Sequence, residues 1–477
     1  MPIRYYLYAA VIKEKIPYID ILMEHAGSCR EGFFLVGGTV RDFFILNRRI
    51  RDYDFVLSGS PFFNAKRFAD AINGAYVVLH ERFPTARVVK GDCIFDFTSL
   101  RGGGIESDLG SRDFTVNALA ISLFDNGHEV IDVTGGLDDI NNRIIRMVSR
   151  DNLAEDPVRL LRAFRLAAEL GFAIQRDTLH TISALRGLIS GAAAERVWAE
   201  LKMLLQVSQS TEIVKSAFET GLLLALLPEL EPLRGLKQNR FHHLDVFDHT
   251  MAAYEAAEAI INNPCLLIPG NLKAWLDRYP HKSALIKLSI LLHDAGKYPT
   301  RRLSKDGDFS FHRHEHEGAG IAAGILSRFK ASAKETEFVT MLVKNHMRIL
   351  AFKRAWRDAF ALMKKPLIRL LNAVGEDIYA LVIVWAADSG AKPEGQEQTI
   401  DICRDILDFY ECQYMPRKTA PRFITGRDLI ETFGLIPSPL FSEILGAIKL
   451  KTLEGLIDSK DKAASLVEEF LHARGTR

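Results

Sequence analysis

The 477-residue chain has few cysteines, almost no net charge and no long apolar run, and each absence excludes a class of protein. Its five cysteines (Cys29, Cys93, Cys265, Cys403 and Cys412) are odd in number, scattered and never in Cys-x-x-Cys spacing. Neither a disulfide scaffold nor a thiolate zinc site is expected from such spacing. The longest strongly apolar run, residues 379–387, falls far short of the roughly 20 residues that span a bilayer. Lys13 and Lys15 interrupt the early apolar stretch, against a secretory leader, so the expected location is the cytoplasm. The formal net charge is +1, so no global basicity advertises a nucleic acid. Local patches must serve that purpose, such as Arg41, Arg48, Arg49 and Arg51, or Arg159, Arg162 and Arg165. There is no internal repeat and no low-complexity tract.

What is present begins with an ordinary globular composition, 48% hydrophobic and 25% charged, over a length that accommodates roughly two to four domains. Residues 1–150 alternate between strand and helix patterns. Strands are expected at 33–36, 54–57, 76–80, 86–89 and 94–98, and a hairpin around Asp125-Asn126-Gly127. Past Asp151 apolar residues recur at helical spacing, with a loop at Asn262-Asn263-Pro264 and Ile268-Pro269-Gly270-Asn271 and a linker at 415–421. The expected fold is an α+β head with a mixed sheet, followed by an all-α remainder.

The densest chemistry lies at Gly37-Gly38-Thr39-Val40-Arg41-Asp42 and Asp52-Tyr53-Asp54. The first follows an apolar strand with a Gly-Gly turn, which lets backbone amides approach a phosphate, and an amphipathic segment opens at Val40. In the second, residues i and i+2 of a strand share a face, so both carboxylates aim at one point. Paired oxygen ligands beside a phosphate cradle suit Mg²⁺-dependent phosphoryl or nucleotidyl transfer. Asp52 and Asp54 are the expected metal ligands, and Asp96, on the strand at 94–98, is the expected third carboxylate. At Glu155-Asp156-Pro157 a helix start is expected, with Asp156 as N-cap and Pro157 first in the helix.

These elements resemble the signature of the nucleotidyltransferase superfamily, and the resemblance sharpens downstream. Ser111-Arg112-Asp113-Phe114-Thr115-Val116-Asn117-Ala118 is similar to its Arg-Arg-Asp-Phe-Thr-(Ile/Val)-Asn-Ala element, with Ser111 in place of the first arginine. Asp132 to Asp139 resembles its hinge, Glu155 to Arg165 its Glu-Asp-x-x-Arg-x-x-Arg-Ala-x-Arg element, and Glu195-Arg196-Val197 with Glu200-Leu201 its last shared block. This ordered set identifies class II tRNA nucleotidyltransferases and bacterial poly(A) polymerases. The resemblance implies template-independent addition of nucleotides from CTP, with ATP an open second substrate, to the 3′ end of tRNA. It implies Gly37, Gly38, Arg41 and Arg112 at the triphosphate, Asp156 and Arg159 reading the base, and Arg162 and Arg165 following toward the phosphates. Asn117 would fix the turn after Thr115, and Asp113 would pair with an arginine. Members that build the whole CCA end carry a sizeable flexible loop where this chain has only Gly102 to Gly110, so a CC-adding enzyme is expected. The rival within the class is a poly(A) polymerase, against which the balanced tail argues.

A second constellation, His249, His293-Asp294, His314, His346 and Asp388, resembles the HD phosphohydrolase superfamily. The resemblance implies a divalent transition metal that activates water for attack on a phosphoester. The segment from Ile424 to Pro437 resembles the region after this insert in HD-containing tRNA nucleotidyltransferases. The implied organisation is a head at 1–145, a helical neck at 146–235, an HD domain at 236–400 and a helical tail at 401–477 on the tRNA elbow. The implied partners are tRNA and nucleoside triphosphates, with no DNA and no membrane. The rival of another class is an HD phosphohydrolase whose head only senses nucleotide or RNA.

Overall fold

Alternation along residues 52–57 builds the floor of the N-terminal half. Asp52 and Asp54 are exposed, whereas Tyr53, Phe55, Val56 and Leu57 are buried, as a strand with one wet face requires. The computed structural model describes residues 5–6, 16–28, 32–45, 50–81, 84–123, 129–238, 244–267, 271–303, 308–356, 360–392 and 396–473. Arg48, Arg49, the Asp125-Asn126-Gly127 turn and Ile268-Pro269-Gly270 lie outside the described residues. The chain forms two compact units, Met1–Pro228 and Glu229–Arg477.

The first unit is built on a sheet of β1 (Tyr5–Tyr6), β2 (Phe33–Val36), β3 (Asp52–Leu57), β4 (Ala75–His80), β5 (Thr85–Lys90), β6 (Cys93–Ser99), β7 (Leu119–Ser122) and β8 (Glu129–Asp132). Their order is β1-β8-β7-β2-β3-β6-β5-β4. The β3–β6 pair is parallel and sets Asp54 opposite Asp96, while the other neighbours run antiparallel. The inner face is aromatic. Tyr53 stacks on Phe95 with ring centroids 5.1 Å apart, Phe55 on Phe97 at 5.2 Å, and Phe68, from the Pro61–Ile72 helix, meets Phe95 edge-on at 5.1 Å. Each buried ring contributes about 1.5–3 kcal/mol relative to an exposed one, which anchors β3 and β6 under their charged outer face. The two segments flanking the expected hairpin pair antiparallel, as the sequence predicts.

Two local expectations are corrected. Asp156 does not cap a helix. Helix Arg150–Glu155 ends at it, and helix Val158–Leu170 starts one residue later than expected, with Pro157 as its N-cap residue and no side-chain cap bond. Proline disfavours helical backbone in the residue before it, so the Asp156-Pro157 step breaks one helix from the next. The expected linker at 415–421 is instead largely helical, because helix Gln396–Phe409 runs through a π-helical turn at Tyr410–Tyr414 into helix Met415–Thr419. Pro416 has no N–H to donate to the preceding turn, and the helix passes it directly after the π-helical turn.

Among the described residues the second unit is helical and loop apart from one short antiparallel pair, Arg302–Leu303 with Phe309–Ser310. The apolar run at 379–387 is the middle of helix Ile378–Gly390, buried from Ile378 to Ser389. Among the described residues no helix is long and apolar enough to cross a membrane. The last helices, Gly426–Glu431, Pro439–Glu454 and Lys460–Ala473, close on a core of their own that includes Ile424, Leu429, Ile444, Val467 and Leu471.

Candidate active site and candidate metal centre

Strand β2 ends in the Gly37-Gly38 turn, and helix Gly38–Phe44 starts there, earlier than the expected Val40. Gly37 has φ 75°, and a Cβ on it would stand 2.9 Å from Arg112 Nη1 and 3.6 Å from Asp54 Oδ2. Only glycine fits a positive φ this close to both groups. Thr39 ties the turn to β3: its hydroxyl donates to the Asp52 carbonyl at 2.9 Å and accepts from the Asp54 amide at 3.4 Å. Asp52 and Asp54 thus share the outer face of β3, with Asp96 beside Asp54 across the parallel pair.

This cluster is short of positive charge. Although Asp54 still reaches solvent, the protein atoms packed around it remove part of its water, and with the charges of Asp96 and Asp52 this pushes its carboxyl up to about 6, while Arg112 and Arg87 pull the other way. A carboxylate held against like charges is what a bound divalent cation would relieve, so these donors fit a hard metal ion. Asp96 differs from the other two. Arg87, its neighbour across the β5–β6 pair, donates from Nε and Nη2 to both its oxygens at 2.8 Å. Sequence reading missed Arg87, whose only signal is its place on an adjoining strand.

A cleft of about 270 Å³ opens at Asp54, lined also by Arg101, Arg112, Asp113, Arg159 and Arg162, among others. Arg112 is aimed by Asp108, which accepts from its Nε at 3.2 Å and Nη2 at 3.0 Å. Arg41 is buried, with Nε on Asp42 at 2.8 Å and Nη1 on Asn117 at 2.7 Å, so it braces the glycine turn from inside. Asn117 also donates to Asp113 at 3.1 Å, and Asp113 pairs with Arg162 at 3.3 Å, giving both residues the fixing roles expected of them. At the hinge, Asp132 accepts from four successive amides, Thr134 to Leu137, at 2.8–3.1 Å.

Along helix Val158–Leu170 every arginine of the expected set is engaged. Arg159 donates through Nη1 to the carbonyls of Ser111 at 3.1 Å and Asn152 at 3.0 Å. Arg162 and Arg165 each donate through Nε to Glu200, at 3.0 and 2.6 Å. Asp156 meets Arg196, which donates from Nη1 and Nη2 to its two oxygens at 3.0 and 2.7 Å, while Arg159 Nε stands 3.8 Å away. Burial works against the Asp156 charge, yet these guanidiniums hold its carboxyl below the usual range. Arg196 sits in a block the sequence singled out, but nothing local indicated its partner.

In the second unit the structure brings all six metal-type residues together. Asp294 lies 3.2 Å from His293 Nε2, 3.3 Å from His314 Nε2 and 3.7 Å from His346 Nε2, and His249 Nε2 lies 3.0 Å from Asp388. Several of them stand at helix boundaries, with Asp294 directly after His293. His293 and His346 stand just past helix ends and His314 opens one. There each ring bonds through Nδ1 to the carbonyl three residues back, Ile290, Val343 or Phe311, at 2.6–2.8 Å. A bond through Nδ1 leaves Nε2 as the ligand atom. His314 and His346 face each other at 3.2 Å through Nε2, and His293 Nε2 is buried without a hydrogen-bond partner. Burial pushes His346 down to about 3, with the charge at His293 adding to it, so this ring is neutral. Burial opposes the charge of Asp294, but His293 and Lys297 hold it well below the carboxylate range. Buried imidazoles around anionic carboxylates are the donor set of a transition metal, and they fit one here. Sequence reading missed Lys297 and Lys392, which reach Asp294 at 2.7 Å and Asp388 at 2.9 Å.

Residues 33–146 match the family model described as the poly A polymerase head domain, 171–233 the model described as a probable RNA and SrmB-binding site of polymerase A, and 246–378 the HD domain. The chain is 31% identical to the A-adding tRNA nucleotidyltransferase of Deinococcus radiodurans over 92% of its length and 95% of that protein's. It is 30% identical to the CC-adding tRNA nucleotidyltransferase of Thermus thermophilus over 93% and 94% of the two chains. Its fold matches that of the Thermotoga maritima CCA-adding enzyme complexed with tRNA, with a TM-score of 0.67 at 19% identity over 98% and 100% of the chains. The chain belongs to the tRNA nucleotidyltransferase family, which shares its head domain with poly(A) polymerases, and it is an enzyme of that type.

Two measurements follow from the two donor sets. At Asp54 a proton competes with a divalent cation below about 6 and not above it. Protection against thermal unfolding by Mg²⁺ should therefore be near its maximum at about pH 8 and mostly lost by about pH 5. Protection independent of pH over that range would contradict the arrangement. In the second unit, metal analysis of the purified protein should find a transition metal, lost in a His293→Ala, Asp294→Ala double variant that retains nucleotide addition. Absence of such a metal from the unmutated protein counts against the site.

Proposed function

We propose that this enzyme adds two cytidines from CTP to the 3′ end of tRNA without a nucleic-acid template and leaves the terminal adenosine to another enzyme. The observation that carries the reading is the shared cleft: Asp54, Arg112, Arg159 and Arg162 line one space, and Asp52 lies two residues before Asp54 on the same strand face. Divalent ions, with Mg²⁺ the ordinary choice, would be held by Asp52 and Asp54 and would supply charge neutralisation for in-line attack on the α-phosphate. Asp96, saturated by Arg87, tunes Asp54 through its charge more than it ligates. Arg112 meets the triphosphate beside the Gly37-Gly38 turn, and Arg41 holds that turn in place. Asp156 accepts from the exocyclic amine of cytosine, Arg159 donates to a ring acceptor, and G and U present the reverse pattern. Arg162 and Arg165, braced by Glu200, keep the reading helix rigid.

The choice of CC over CCA rests on the stretch before Ser111. It is short, and most of it is the helix Ile105–Gly110, whose Asp108 already holds Arg112. A segment tied down in this way is a poor lever for resetting the base-reading pair from CTP to ATP. The A-adding and CC-adding relatives resemble the chain almost equally, so the short segment decides the reading. The second unit adds a metal-dependent phosphohydrolase, with a terminal or 2′,3′-cyclic phosphate on RNA as its substrate class. We assign head, neck, HD domain and tail to 1–145, 146–235, 236–400 and 401–477, with the tail on the tRNA elbow, and place the enzyme in the cytoplasm.

Incubation with a tRNA lacking its terminus and labelled CTP should extend it by two nucleotides, with little further extension when ATP is supplied. Asp54→Ala should reduce extension to background while tRNA binding stays nearly unchanged, since the metals neutralise developing charge rather than anchor the RNA. Efficient adenosine addition to a tRNA ending in CC would overturn the CC reading, and near-normal turnover by Asp54→Ala would overturn the metal assignment.

A further inference from the structure

The Asp156–Arg196 pair has a geometry unlike an ordinary surface ion pair. Arg196, near the start of helix Ala194–Gln206, spreads its fork so that one N–H meets each oxygen of Asp156, although its own side chain is 53% exposed. Two parallel bonds from a planar guanidinium fix the plane of a carboxylate as well as its position. Asp156 needs such a brace. Its side chain does not cap the helix that follows, and Arg159 Nε, at 3.8 Å, is too distant to hold it. Arg159 is itself pinned by the Ser111 and Asn152 carbonyls, so it cannot move to take the carboxylate over. The same helix braces the reading helix again one turn later, where Glu200 accepts from Arg162 and Arg165.

The consequence concerns the wrong base. An exocyclic amine can replace one Arg196 bond on Asp156, donor for donor, at little cost. The O4 of uracil or O6 of guanine would bring a lone pair against an anionic oxygen. A carboxylate free to rotate would turn aside and tolerate that approach, whereas one clamped in plane cannot. We propose that Arg196 is a specificity-setting positioning residue, which clamps the Asp156 carboxylate so that only a base carrying an exocyclic amine can share it. This rests on the assignment of Asp156 as a base reader, and the test separates the two.

The test is kcat/KM for CTP and for UTP on a tRNA lacking its terminus, in the unmutated enzyme, Arg196→Gln, Arg196→Lys, Asp156→Ala and the Asp156→Ala, Arg196→Gln double variant. Loss of a bidentate, charge-assisted pair should lower the preference for C over U about tenfold in Arg196→Gln. Much of that change should come from better use of UTP. Arg196→Lys, whose ammonium cannot bond both oxygens in plane, should lie between, and it serves equally where the Gln variant does not fold. In the double variant the preference should equal that of Asp156→Ala alone, because Arg196 acts only through Asp156. Both partners reach solvent, so the thermal midpoint should hardly move. If Asp156→Ala loses the preference while both Arg196 variants keep it, or if they slow CTP and UTP equally, the proposal is overturned. If Asp156→Ala itself keeps the preference, base reading by Asp156 fails, and the role of Arg196 fails with it.

Discussion

The parallel pairing of β3 with β6 is the constraint on which the N-terminal site depends. It sets Asp54 beside Asp96, with Asp52 two residues before on the same outer face. Loss of water around Asp54 first, and repulsion from Asp96 and Asp52 second, raise its carboxyl to about 6. The strands stay together because their other faces carry Tyr53, Phe55, Phe95 and Phe97, stacked in pairs and buried. Apolar burial on one side thus supports electrostatic strain on the other, and the strain is what a cation would relieve. Arg87 and Arg112 offset part of it at fixed positions, one saturating Asp96 and the other held at the cleft by Asp108.

Much of this was legible in the sequence because it is local. Strand alternation at 52–57, the apolar strand before Gly37 and the adjacent His293-Asp294 pair each declare themselves within a few residues. The partners did not, because they are set by tertiary register. Arg87 lies nine residues from Asp96 on another strand, and Arg196 forty residues from Asp156 on another helix. Local rules also misread two junctions. Asp156-Pro157 has the composition of a helix cap, yet the proline separates two helices and leaves the Asp156 side chain to Arg196. Met415-Pro416 has the composition of a linker, yet the chain stays helical through it, directly after a π-helical turn.

The two donor sets solve opposite problems. In the first unit the carboxylates are open to a cleft, and the surrounding arginines sit on fixed partners, so incoming phosphates meet charge that is already organised. In the second unit the ligands are buried, and the rings are oriented by backbone carbonyls before any ion arrives. Each of these rings stands at a helix boundary and uses the carbonyl three residues back. Sequence spacing alone could name the six residues, but not the carbonyls that orient the rings.

The central claim is that Asp52 and Asp54 hold a divalent ion against the α-phosphate of the incoming nucleotide. Phosphorothioate interference tests it most directly, with the two diastereomers of CTP carrying sulfur at the α-phosphate. The account predicts that one isomer is used poorly in Mg²⁺ and recovers in the thiophilic ions Mn²⁺ or Cd²⁺, with no such recovery in Asp54→Asn. Equal use of both isomers in Mg²⁺, with no effect of the softer ion, would contradict it.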